Sequence, residues 1–158
     1  MWVINKRNSF KLLLQNLQEI LKNEKNKGTE LEAICKLLKK NVDYYNWVGF
    51  YAVNKKKPEE LVLISYVGEP TQHVRIQFGK GICGQAALLK KTLVVQDISK
   101  EANYLSCSLK VKSEIVVPII RNQEIVGELD IDSHFASPFT LDDEKFLTSI
   151  AKIANKFF

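Results

Sequence analysis

The sequence is poor in the residues that staple or anchor a chain. Its 158 residues include only three cysteines, too few for the disulfide framework of a small secreted domain. Lys6, Arg7 and Lys11 break any apolar run near the N-terminus, so no export leader is expected. No apolar stretch reaches the length needed to cross a bilayer. Free thiols without an export signal point to a reducing, cytoplasmic setting. The two histidines, His73 and His134, lack ligand spacing, and neither Cys83 nor Cys107 lies in a C-x-x-C, so no metal site is expected. The net charge is +5, yet the lysines scatter over helix exteriors and one hairpin without aromatic interleaving. That pattern is a solvated face, and no nucleic-acid partner is expected. Internal repeats and low-complexity segments are missing as well.

What is present fits one globular domain over 1–158, with 46% hydrophobic and 26% charged residues. Phe10, Leu13, Leu14, Leu17, Ile20 and Leu21 make the stripe of an amphipathic helix over Ser9 to Lys25. Thr29-x-x-Glu32 reads as a capping box opening a second helix, with Cys35 in or near the core. Trp47 to Val53 is aromatic and β-branched, hence a strand, and Leu61 to Tyr66 pairs back after a turn over Lys55 to Pro58. Val74, Ile76 and Phe78 alternate with Arg75 and Gln77, one face buried and the other wet. A short helix is expected from Gly84 to Lys90, then brief apolar Leu93 to Val95 and a long loop from Asp97 to Lys112. Glu114 to Ile120 and Ile125 to Ile131 form a hairpin about Arg121 to Glu124. Thr140 opens a last helix, with Phe146, Leu147, Ile150, Ile153, Ala154 and Phe157 on its inner stripe. The order implies an α+β fold: an antiparallel sheet, terminal helices on one face and ligand-pocket loops on the other.

Gly79 to Gly84 spells G-x-G-x-x-G after a strand, but a two-turn helix, an early Asp97 and antiparallel surroundings do not suit a dinucleotide. The glycines serve a tight strand-to-helix turn. Cys83 lies near that helix start, where the dipole favours thiolate, and Cys107 lies in a polar loop. They are a redox pair or two unrelated thiols, and spacing does not choose. Glu114, Asp130 and Asp132 are out of place among apolar strand residues. Asp130 and Asp132, two apart, share a face. Clustered carboxylates repel unless a cation fills the gap, and one of them can carry a raised pKa. Such a site suits an ammonium group or a protonatable substrate; capping of loop N–H groups is the bland alternative.

The run Asn46-Trp47-Val48-Gly49-Phe50-Tyr51, the G-x-G-x-C-G turn, Ser113-Glu114-Ile115-Val116-Val117-Pro118 and Gly127-Glu128-Leu129-Asp130-Ile131-Asp132-Ser133 together resemble a GAF domain over nearly the whole chain. Within that family the sequence is most similar to the free methionine-(R)-sulfoxide reductases. The resemblance implies Cys107 as nucleophile on the sulfoxide sulfur and Cys83 as the thiol that resolves the product as a disulfide. Thioredoxin would then supply the reducing equivalents, with no bound cofactor. It also implies Glu114, Asp130 and Asp132 around the substrate's amino group and sulfoxide oxygen, Trp47 and Tyr51 as pocket walls, and a homodimer. The chain departs from the family pattern in two places. His73, in Pro70-Thr71-Gln72-His73, stands where the reductases usually carry another cysteine. Tyr104-Leu105-Ser106-Cys107-Ser108 replaces a His-Ile-Ala-Cys-Asp run and is closer to the generic sensor loop of GAF domains. A non-catalytic GAF sensor domain for a small amino-acid-like ligand is therefore the second expectation.

Overall fold

Leu13 and Leu17 recur on one face of α1 (Lys6–Asn23), and Leu31, Ile34, Cys35 and Leu38 do the same on α2 (Glu30–Asn41). Both stripes need an apolar partner, and the sheet supplies it. The structure is a computed structural model and describes residues 5–24, 28–105 and 108–158. The strands are β1 (Trp47–Asn54), β2 (Lys57–Val67), β3 (Arg75–Gln77), β4 (Leu93–Val95), β5 (Ser113–Arg121) and β6 (Glu124–Ser133). They form one antiparallel sheet in the order β3-β2-β1-β6-β5-β4. Helix α3 (Gly81–Leu89) joins β3 to β4, and α4 (Leu141–Ala154) follows β6.

Period-two alternation gives the sheet two different faces. Val48, Phe50, Ile115, Val117, Ile119, Leu129 and Ile131 face α1, α2 and α4 in the main core. The residues between them face the other way, where Trp47, Tyr51, Leu61, Ile76 and Val116 pack with Ile82, Cys83, Ala86 and Ala87 of α3. The α+β expectation therefore holds, with one refinement: a helix, and not only loops, covers the second face. Among the described residues no helix is long and apolar enough to cross a membrane.

Several local expectations are corrected. The Thr29 side chain makes no cap hydrogen bond, because its backbone is already helical (φ −102°, ψ −1°). The capping arrangement occurs instead at α4, where the Thr140 N–H and hydroxyl both donate to Asp143, at 2.8 and 2.9 Å. Strand β2 begins at Lys57, so the turn is shorter than Lys55 to Pro58. Strand β3 holds only Arg75–Gln77, leaving Val74 exposed while Ile76 is buried. The loop after β4 contains a 3-10 turn, Ile98–Lys100, with Asp97 at its N-cap. The β5–β6 hairpin closes as expected on two residues, Asn122 and Gln123, with φ of 52° and 67°, the two-residue turn that matches strand twist.

Candidate functional site

The second face of the sheet is built in rows. Trp47 pairs with Asp132, and Asp132 with Glu114; Gly49 pairs with Asp130, and Asp130 with Val116; Tyr51 pairs with Glu128, and Glu128 with Pro118. Cross-strand partners point to the same side, so four carboxylates share this face. Glu114, Glu128, Asp130 and Asp132 are all buried. Gly49 leaves the space that the Trp47 ring fills, since a Cβ there would run into that ring. The indole is further held by its N–H donating to the Glu69 carbonyl at 3.0 Å and by stacking on Tyr66 at 5.5 Å. The Tyr51 hydroxyl donates to the His73 carbonyl at 2.8 Å.

Helix α3 lays a thiol on this acidic face. It begins at Gly81, three residues earlier than the sequence suggests, because Gly81 takes φ 62°, open to glycine. Cys83 therefore sits in the first turn, and its Sγ donates to Glu114 Oε1 at 3.7 Å. The donor atoms of Cys83, Glu114 and Asp130 lie within 4.8 Å of one another. A small cleft with room for little more than one water molecule opens over them, lined also by Tyr51, His73, Lys80 and Leu105. Neither oxygen of Glu128 nor Oδ1 of Asp130 has a hydrogen-bond partner among the described residues.

The electrostatics follow from burial. Burial pushes the Cys83 thiol well above its usual range, and the Asp130, Glu128 and Glu114 carboxylates add to that. The thiolate expected from the helix dipole is thus not the resting form; desolvation and like charge outweigh the dipole. Burial raises the Asp130 carboxyl to about 6, against the pull of hydrogen bonding with Cys83 and Glu114. Asp132 is raised by burial and by Asp130. Glu128 is raised by burial, moderated by the Cys83 thiol and reinforced by Asp130. The site can hold a cation and can donate a proton at neutral pH.

The structure brings together Cys83, Glu114, Asp130 and Tyr51, with Asp132 and Trp47 at one end of the same face. Cys107 lies outside the described residues, but its loop is tied on both sides. Upstream, Asn103 accepts from the Gly81 N–H at 2.9 Å and donates to the Gly79 carbonyl at 2.8 Å, capping α3 from a distant loop. Downstream, Lys110 pairs with Glu69 at 2.6 Å. Two contributors escape the sequence reading. Glu128 was legible in principle, since it lies two residues before Asp130 and so on the same face. Asn103 carried no local signal. Cys35 lies apart in the main core, where burial pushes its thiol to about 12.

Sheet order and flanking helices define an α+β domain with a buried acidic cleft on one face of its sheet, and residues 28–156 match the family described as GAF domain. The chain belongs to that family. It is 41% identical to the free methionine-R-sulfoxide reductase of Saccharomyces cerevisiae over 112 residues, covering 70% of this chain and 62% of that protein. Among solved structures it is similar to fRMsr of Staphylococcus aureus in its reduced form (36% identity, 99% of each chain, TM-score 0.85). It is also similar to free methionine-R-sulfoxide reductase from Neisseria meningitidis in complex with its substrate (32% identity, 100% of this chain and 93% of that one, TM-score 0.89).

Proposed function

We propose that this protein reduces free methionine-(R)-sulfoxide to methionine with a cysteine nucleophile and disulfide resolution. The observation that carries the reading is the buried acidic face, Glu114, Glu128, Asp130 and Asp132, lying against the Cys83 thiol. A free amino-acid sulfoxide brings an ammonium for the carboxylates and an oxygen that must be protonated as its bond to sulfur breaks. Asp130, with its carboxyl near 6, suits that proton transfer. Likeness to proteins named free methionine-R-sulfoxide reductase over nearly the full chain supports the substrate.

In this reading the Cys107 thiolate attacks the sulfoxide sulfur and the oxygen takes up a proton. Methionine leaves, and Cys107 is left as the sulfenic acid. Cys83 then attacks that sulfur, its proton passing to a neighbouring carboxylate, and water departs as the disulfide forms. Thioredoxin restores both thiols by disulfide exchange. Trp47 and Tyr51 enclose the substrate's side chain. A single domain, a cytoplasmic setting and a homodimer complete the proposal. One observation favours a sensor instead: the Tyr104-Leu105-Ser106-Cys107-Ser108 run departs from the reductase pattern, and His73 stands where the reductases usually carry another cysteine.

NADPH consumption in a thioredoxin-coupled assay with free methionine-(R)-sulfoxide tests this on wild type, Cys107→Ser and Cys83→Ser. Turnover is expected in wild type and lost in Cys107→Ser. Cys83→Ser is expected to release about one equivalent of methionine and then stop recycling through thioredoxin. No wild-type turnover, with methionine or its sulfoxide still raising Tm, would replace the reductase by a binding domain.

A further inference from the structure

Cys83 on α3, Glu114 on β5 and Asp130 on β6 converge although nothing in their sequence spacing suggests a metal site. A tetrahedral zinc with a thiolate at about 2.3 Å and carboxylate oxygens at about 2.0 Å holds its S and O donors about 3.5 Å apart. The Cys83 Sγ to Glu114 Oε1 distance is 3.7 Å, and all three donor atoms lie within 4.8 Å of one another. Only a small contraction would close the set. Asp130 belongs to this trio, is 3% exposed and has an oxygen, Oδ1, without a hydrogen-bond partner among the described residues. Glu128, 0% exposed, stands one pleat away on the same strand and adds a further carboxyl group. A buried thiol beside oxygen donors is a borderline-soft ligand set, suited to zinc or cadmium and poorly suited to magnesium or calcium, which take oxygen ligands alone.

We propose that Cys83, Glu114 and Asp130 bind a thiophilic divalent cation, zinc or cadmium, in the pocket that the substrate would occupy. Binding releases the thiol proton to solvent, forms one metal–sulfur and two metal–oxygen bonds, and leaves a fourth position for water. The metal takes no part in sulfoxide reduction; it blocks the pocket and ties up the resolving thiol. Competition with substrate rests on the reductase reading, whereas the metal site itself does not.

Cadmium chloride titrated into the fully reduced protein reports the site through the ultraviolet sulfur-to-cadmium charge-transfer band. The band is expected in wild type at about one equivalent, absent in Cys83→Ser, and retained in Cys35→Ser and Cys107→Ser. Asp130→Asn, which keeps the thiol, is expected to weaken binding about tenfold or more. Cys83→Ser is close in size, and unchanged melting of the metal-free variant verifies that it folds. In the coupled assay, zinc is expected to raise the KM for the sulfoxide with little change in kcat. A band that survives Cys83→Ser, or disappears in Cys107→Ser instead, overturns the proposal. Sulfoxide turnover without any band overturns it too and leaves the reductase standing; a band without turnover keeps the metal site and removes the reductase.

Discussion

At Glu128 a carboxyl group sits on the pocket face with no exposure to water and no hydrogen bond to either oxygen among the described residues. An unpaired buried acid costs several kcal/mol even after it takes up a proton, so folding alone does not account for it. Replacing it by leucine, similar in size and apolar, removes that cost. Glu128→Leu is expected to be more stable than wild type by about 1–3 kcal/mol in urea unfolding at pH 7. The same variant is expected to show a raised KM for the sulfoxide, since the face loses one of its four acids. A destabilised variant with unchanged KM would mean that the carboxyl is structural. Cys83 gives the complementary lesson. Its position in the first turn of α3 argues for a thiolate, but burial among three carboxylates reverses the direction.

The element that matters most to the site is α3, whose start is capped by a side chain about twenty residues away in sequence. Asn103 satisfies the Gly81 N–H and holds the Gly79 carbonyl, so one amide ties the glycine turn to the 101–105 segment. Gln85 adds a hydrogen bond to the Asn103 carbonyl at 3.1 Å. Asn103→Ala is expected to cost about 1–2 kcal/mol of stability, as a lost helix cap does. Its larger effect is expected on kcat, because the loop that carries Cys107 loses its upstream tether. Faster amide hydrogen exchange confined to α3 and the 101–105 loop would accompany the change; equal exchange with lowered kcat would point away from tethering. The Lys110–Glu69 pair is exposed and screened by solvent, so it contributes little and guides the downstream side without fixing it.

For the molecule as a whole, a partly buried ion pair joins α1 to α4 beside the segment that leads into the sheet. Asp143 on α4 accepts from Lys6 of α1 at 2.9 Å, and from the hydroxyls of Tyr44 and Tyr45 at 2.7 and 2.8 Å. Those tyrosines lead directly into Trp47. Burial works against the Asp143 charge, but hydrogen bonds from Lys6, Tyr44, Thr140 and Tyr45 outweigh it and hold its carboxyl below the usual range. An acid depressed in the folded state contributes stability above its unfolded pKa of about 3.9, and loses it as pH falls through the folded value. Asp143→Asn is therefore expected to lower stability by about 2–4 kcal/mol at pH 7. The difference from wild type is expected to shrink as urea midpoints are followed down below about pH 4. A constant difference at every pH would show that the charge is not what stabilises the contact.

Much of this was local and therefore legible. The stripes of α1, α2 and α4, the two-residue hairpin at Asn122 and Gln123, and the shared face of Asp130 and Asp132 follow from periods of 3.6 and 2. The sequence by itself determined those faces, because side-chain direction depends only on backbone conformation. It also determined the family, through motifs that stay contiguous in the chain. Only the tertiary structure decided which faces meet. Folding α3 back onto β5 and β6 brought Cys83 to Glu114 and Asp130, enclosed Glu128 without a partner, and turned a cysteine at a helix start into a raised thiol. Those outcomes depend on burial and on contacts between residues far apart in sequence, which no spacing records.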